Sequence, residues 1–340
     1  MRSRRRAVLR FALGVALAAA VFAEVLPRIA SYGDVLHRLG MISTAWAVAI
    51  GTAALLDVLT TALPWMAVLP QLSFLAALAF TQASTALTTV LPGGAPLGMA
   101  LSFGFLRRLR VDRGNAAFAV AVTGVWSQVM ILVYPLIGAI LVFGTGELST
   151  STAVIAGVSA VAGAAIVGLA VAALRSPTAA LRLGNAAAEF TAWVKGIFHR
   201  PPPEWSGESL VRLREERLVL LRRRWPVLTA ATLGNQLSAF LVFVFCLQAV
   251  AIPFSTLPLS EAFLAWAIGR VISSLPLTPG GIGVVELGMV GTLVGFGAPN
   301  AHVVAAVLLY RGAVVLPTLV VGALGIPALR LLAPPEPEPS

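Results

Sequence analysis

Long apolar runs separated by short arginine-bearing stretches set the pattern of the chain. Five runs, at about Ser43 to Leu63, Asn115 to Phe143, Thr152 to Leu174, Pro226 to Ala251 and His302 to Pro327, approach or exceed the length that crosses a bilayer of about 30 Å. A sixth, MRSRRRAVLRFALGVALAAAVFAEVLP, opens the chain behind an arginine-rich head and fits either a first transmembrane helix or a secretory signal cut after Val21-Phe22-Ala23. The many spans that follow favour a retained helix that sets the orientation. Two further apolar regions, Gln71 to Leu106 and Leu259 to Gly297, are each too long for one helix. Pro92-Gly93-Gly94 interrupts the first and Pro279-Gly280-Gly281 the second. Each is either two short crossings or one re-entrant hairpin, because irregular backbone inside a bilayer is tolerated only where protein or a water-filled cavity covers it.

Exchanging two crossings for a hairpin alters the crossing count by two and leaves every later loop on its own side. Arg107 to Arg113, the segment Arg175 to Arg224 and Arg330 then all fall inside, and both termini are cytoplasmic. The expected fold is an all-α polytopic membrane protein with six clear transmembrane helices and two broken segments in one integral domain, 1–330. A disordered tail, 331–340, follows it, since PPEPEPS is too proline-rich and polar to fold.

Composition agrees with the pattern: 58% of residues are hydrophobic, 11% are charged and mean hydropathy is +0.91. The net charge of +10 and pI near 11.3 suggest nucleic acid until the basic residues are placed. Placed, they fall between apolar runs in the positive-inside distribution, and no nucleic-acid partner is expected. The single Cys246 and the scattered His37, His199 and His302 form neither a disulfide framework nor a metal motif, so no cofactor or metal is expected. No P-loop motif is present, and ATP is not the expected direct energy source. Between 175 and 225, Leu210, Leu213, Leu218 and Leu221 recur beside Arg212, Arg214, Arg217 and Arg222. The segment reads either as an amphipathic helix drawn to anionic inner-leaflet lipids or as a solvated cytoplasmic linker.

Pro92 and Pro279 are 279 − 92 = 187 positions apart, and the same shift carries Gly138 onto Gly325 and the run near Ser43 to Leu63 onto Pro226 to Ala251. The halves, about 43–143 and 226–327, enter the membrane from opposite sides, so the expected repeat is inverted. Paired Gly/Pro-interrupted segments in inverted halves point to a transporter's binding site.

A charge near mid-bilayer costs roughly 2.5–3.5 kcal/mol, and Asp57, Glu261, Arg270, Glu286 and Arg311 are the candidates. Arg311, behind Tyr310 in an apolar helix, is the hardest to explain as a surface residue. Glu286 is its natural counter-charge, or that of Arg270, and the pair either serves a site or fixes helix packing. Glu261 lies near a segment end, Asp57 towards one end of its span, and Gln82, Gln128, Asn235 and Gln236 suit interhelical hydrogen bonding. A helix starting after Pro279, with free N–H groups approachable through glycine, would bind a phosphate. The expected binding residues are Pro279, Gly280, Gly281, Gly283, Glu286, Arg270, Tyr310, Arg311 and Asp57, with Pro92, Gly93 and Gly94 from the first break. At the same shift the first half carries Met99 and Gly124 in place of Glu286 and Arg311.

LPLTPGGIGVVE at Leu275 to Glu286, LLYRGAVVLPTLVVGALG at Leu308 to Gly325 and LPGGAPLG at Leu91 to Gly98 resemble the flippase-like membrane domain of the lysylphosphatidylglycerol synthase/flippase family. The resemblance implies a bacterial or archaeal cytoplasmic-membrane protein that moves a lipid, such as an aminoacylated phosphatidylglycerol, between leaflets. The soluble aminoacyl-transfer domain of the full-length enzymes does not follow Arg330, so lysyl transfer is not expected. A membrane lipid is the expected substrate; transport of a small soluble anion is the alternative, and an intramembrane lipid-modifying enzyme the third reading.

Overall fold

The computed structural model describes residues 31–90, 94–143, 207–275 and 278–332, with scattered positions between 154 and 189. The expected first helix, Pro92 and Gly93, most of the run Thr152 to Leu174, the linker before 207 and the tail lie outside the described residues. The described elements are helical throughout: α1 (Tyr32–Gly40), α2 (Thr44–Thr60), α3 (Leu63–Val68), α4 (Phe74–Val90), α5 (Gly94–Arg108), α6 (Arg113–Phe143), α7 (Gly207–Ala249), α8 (Leu259–Ser274), a 3-10 turn (Pro279–Gly281), α9 (Val284–Gly295) and α10 (Asn300–Leu332).

Local chemistry explains several boundaries. The hydroxyls of Ser31 and Ser43 accept from the N–H groups of Asp34 and Trp46 and cap α1 and α2. Pro64 sits in the first turn of α3, where its missing N–H costs nothing, so α2 and α3 follow one another closely as one apolar stretch, Thr44–Val68. That stretch, Arg113–Phe143, Arg223–Ala249 and Asn300–Leu329 are the helices among the described residues long and apolar enough to cross a membrane. Four expected runs match them, with two shifts. The first span extends beyond Leu63 to Val68, and α7 begins at Gly207 and passes through Pro226 without ending.

The helices interlock across the chain. α10 lies along α4, α8 lies along α6, and α7 packs on α2 and α3. Each broken region folds back on itself, α5 on α4 and α9 on α8. Two crossings are close enough to require glycine: a Cβ at Gly138 would come within 3.0 Å of Leu264 Cα, and one at Gly325 within 2.6 Å of the Ala79 carbonyl oxygen. One core joins α7 to α10 around Trp266, Phe243 and Val307; a second joins α3 to α6 around Phe80, Leu106 and Ala119. Leu316, Val320 and Leu324 follow one another at helical spacing on an outer face of α10, and all three are exposed, as suits a lipid-facing surface. With lipid as the alternative neighbour, these cores hold by close packing and interhelical hydrogen bonds more than by release of water.

Candidate functional site

The second break is built from the end of α8. The hydroxyls of Ser273 and Ser274 donate to the carbonyls of Arg270 and Val271, and Leu275 turns to an extended conformation that ends the helix. Gly280, Gly281 and Gly283 then adopt φ of 60°, 71° and 87°, a left-handed region that costs side-chain-bearing residues about 1–3 kcal/mol. These conformations delay the next helix. α9 starts at Val284 instead of directly after Pro279, and Pro279–Gly281 form a 3-10 turn.

Glu286 reaches back from the first turn of α9. Its Oε2 accepts from the Gly283 N–H at 2.6 Å, and its Oε1 accepts from Arg311 Nε at 2.7 Å. Arg311, on α10, also donates from Nη2 to the Gly280 carbonyl at 2.7 Å. One guanidinium therefore holds a backbone carbonyl before α9 and the carboxylate that caps α9. The pair is sheltered, with side-chain exposure of 16% for Arg311 and 3% for Glu286. Two N–H groups of the break are already used: Gly281 donates to the Thr278 carbonyl and Gly283 to Glu286. The anion at this helix start is the protein's own carboxylate.

The second break packs on α4. A Cβ at Gly280 would lie 3.0 Å from the Thr89 carbonyl oxygen, so the second break rests on the last turn of α4. Gly94 begins α5 on the far side of the first break.

A second polar cluster surrounds Arg270. Its Nη2 donates to Gln236 Oε1 at 2.6 Å, its Cζ lies 6.0 Å from the Trp266 ring centroid, and its buried Nε has no hydrogen-bond partner among the described residues. Trp266 Nε1 donates to the Tyr310 hydroxyl at 3.1 Å, while the Tyr134 ring packs against Trp266 at 5.6 Å and its buried hydroxyl is also unpartnered. Asp57 is buried near the midpoint of Thr44–Val68 and accepts from the Ser238 hydroxyl at 3.0 Å. Arg270 is close enough to Asp57, Tyr134 and Tyr310 to act on each electrostatically.

The expected residues thus divide into two groups. Glu286, Arg311, Gly280, Gly281 and Gly283 form the break, whereas Arg270, Asp57 and Tyr310 form the aromatic-lined cluster. Tyr310 and Arg311, adjacent on α10, join them. Glu261 occupies the first turn of α8, nine residues before Arg270. Interhelical bonding accounts for Gln82, which donates to the Val58 carbonyl and the Thr61 hydroxyl, for Asn235, which donates to Thr60, and for Gln236. Tyr134, Trp266 and Ser238 were not singled out by their positions in sequence. A buried Tyr or Trp needs a partner for its O–H or N–H, and that requirement was the available signal.

The arrangement can receive an anion. Arg270 retains donor capacity in a sheltered, aromatic-walled position, and a guanidinium suits the oxygens of a phosphate. A family model described as Lysylphosphatidylglycerol synthase TM region matches residues 7–322, and no curated protein matches the chain. The chain belongs to the lysylphosphatidylglycerol synthase membrane-region family.

Proposed function

We propose that this member of the lysylphosphatidylglycerol synthase membrane family is a flippase-like translocator. It moves an anionic or aminoacylated phospholipid, or a lipid-linked intermediate, across the cytoplasmic membrane without a chemical step. The observation that carries the reading is the second Pro-Gly-Gly break packed on α4, Gly280 against Thr89, with the sheltered Arg311–Glu286 pair bonded to that break and Arg270 on the helix leading into it. Irregular backbone and unneutralised charge are both costly in lipid, and their coincidence marks a substrate path.

Contacts at the 187-residue shift support inverted halves. Gly138 packs on Leu264 as Gly325 packs on Ala79, and Met99 lies against Gly124 as Glu286 lies against Arg311. The pairing of α6 with α8 likewise corresponds to that of α10 with α4. At 1.5 Å per residue, α8 and α9 measure about 24 and 18 Å, short of the roughly 30 Å hydrocarbon core, which favours a re-entrant hairpin over two crossings. In this mechanism Arg270 receives the headgroup phosphate, Tyr134 and Tyr310 line its approach, and the Arg311–Glu286 pair keeps the break in shape. Rocking of one half against the other exposes the cluster to each leaflet in turn. Both termini and the basic segment 175–225, which runs into the start of α7, face the cytoplasm, where that segment meets anionic inner-leaflet lipids.

The test is transport by the purified chain in liposomes carrying a labelled phospholipid and a labelled soluble anion. The account expects faster lipid exchange between leaflets than in protein-free vesicles. Uptake of the soluble anion with lipid exchange left at background would replace it with an anion transporter.

A further inference from the structure

Four buried or partly buried charges lie on α2, α8, α9 and α10, two carboxylates and two guanidiniums, and they sum to zero. Glu286 and Arg311 satisfy one another. Asp57 and Arg270 do not. Asp57, 8% exposed and mid-span, makes no ion pair with any described residue, and its carboxylate accepts one hydrogen bond, from Ser238. Arg270 is bonded to Gln236 and keeps an unpartnered Nε, although it lies within electrostatic reach of Asp57. A carboxylate at this depth requires a counter-charge or a proton, because an isolated ion costs several kcal/mol there. Arg270 is the natural counter-charge, yet on the reading above it is also the group that meets the phosphate. When it turns to a phosphate, Asp57 is left uncompensated.

We propose that Asp57 is a proton-binding site that couples headgroup movement to the transmembrane proton gradient, one proton per monoanionic phosphate. The inference rests on the translocator reading. With a headgroup at Arg270, Asp57 takes a proton from the aqueous phase of one side, forming a carboxyl O–H and keeping the cluster neutral. When the headgroup leaves, Arg270 turns to Asp57 and the proton passes to the other side. Nothing is oxidised or reduced. The groups around Asp57 fit this exchange. α8 supplies Arg270 and α10 supplies Tyr310, while Arg311 is committed to Glu286 and the remaining ionisable residues of α10, His302 and Arg330, lie near its ends. α4 carries no charged residue, and α7 faces Asp57 with Ser238, its Arg223 and Arg224 lying a dozen or more residues away. Ser238 in turn is 2.9 Å from the Thr60 hydroxyl, and either oxygen can be the donor, as a relay for a proton requires.

The test uses the full chain in phosphatidylcholine vesicles with trace fluorescent phosphatidylglycerol, a monoanion, whose leaflet distribution is read by dithionite quenching. Electroneutral movement of one proton with one monoanion makes a gradient of one pH unit hold an about tenfold excess of labelled lipid in the leaflet facing the alkaline side. A potassium diffusion potential leaves the distribution unchanged. Asp57→Asn, which keeps the side-chain size and the acceptor for Ser238, holds the ratio near one under the same gradient, and Asp57→Glu restores the asymmetry. Fast exchange by the wild type that ignores the pH gradient, or that follows the electrical potential, overturns the coupling and leaves the translocator standing. A tenfold ratio in Asp57→Asn overturns the assignment to Asp57. No exchange above protein-free vesicles, with or without a gradient, overturns both readings.

Discussion

On the proposed repeat, positions 99 and 124 in the first half correspond to 286 and 311 in the second, and both pairs are in contact, yet one contact is a Met methyl group against a glycine and the other is a sheltered ion pair. The flanking crossings are closer to identical: Gly138 against α8 and Gly325 against α4. On the proposed correspondence the scaffold repeats while the chemistry does not. Apolar packing at Met99 and Gly124 suffices to bring α5 beside α6, so a charged pair is not needed to join the corresponding helices of the second half. The second pair does more than join them. Arg311 spans from the Gly280 carbonyl to Glu286 and thereby holds a backbone that contains three left-handed glycines. A buried pair of this kind adds little net stability over apolar packing, but removing one partner leaves a charge without compensation.

The largest expected effect follows from that asymmetry. Arg311→Ala strands the Glu286 carboxylate and frees the Gly280 carbonyl, with a stability loss of about 3–5 kcal/mol and transport reduced to background. Denaturation in detergent and lipid exchange measure the two losses, and Glu286→Gln is expected to stop transport as well. Next come the matched crossings. Gly325→Ala meets a carbonyl oxygen at 2.6 Å and Gly138→Ala meets Leu264 at 3.0 Å, so each costs about 1–3 kcal/mol, with Gly325→Ala the larger. Unchanged melting of either variant would break the correspondence between the halves. Gly280→Ala, at φ 60° and against Thr89, is expected to cost about 1–3 kcal/mol and to slow transport more than the crossing variants, because it deforms the site itself. The smallest effect belongs to the apolar pair. Gly124→Ala displaces only the mobile end of Met99, and Met99→Leu conserves volume, so each should stay below about 1.5 kcal/mol with transport retained. A loss at Met99 equal to that at Glu286 would mean that both halves carry the function.

Much of this was legible in the sequence because glycine, proline and charge are conspicuous in apolar runs. The second break, four of the expected spans and the partnership of Glu286 with Arg311 required only spacing and the cost of charge in lipid. The start of α9 was less accessible, since Pro279 resembles a first-turn proline until the backbone shows left-handed conformations through Gly283. Asp57 looked peripheral because Pro64 resembles the end of a span, whereas α3 resumes there and moves the midpoint onto Asp57. The environment of Arg270 depends on packing between α6, α7, α8 and α10. Tyr134 and Trp266 sit among other large apolar residues, and only their unpaired or paired polar atoms distinguish them.

The central claim is that the charged latch of the second half serves lipid movement. Leaflet exchange of a labelled phospholipid in proteoliposomes, compared between the wild type and Arg311→Ala at a temperature where both remain folded, tests it most directly. The account predicts exchange above the protein-free rate for the wild type and none above it for Arg311→Ala. Exchange at the wild-type rate in Arg311→Ala would contradict it.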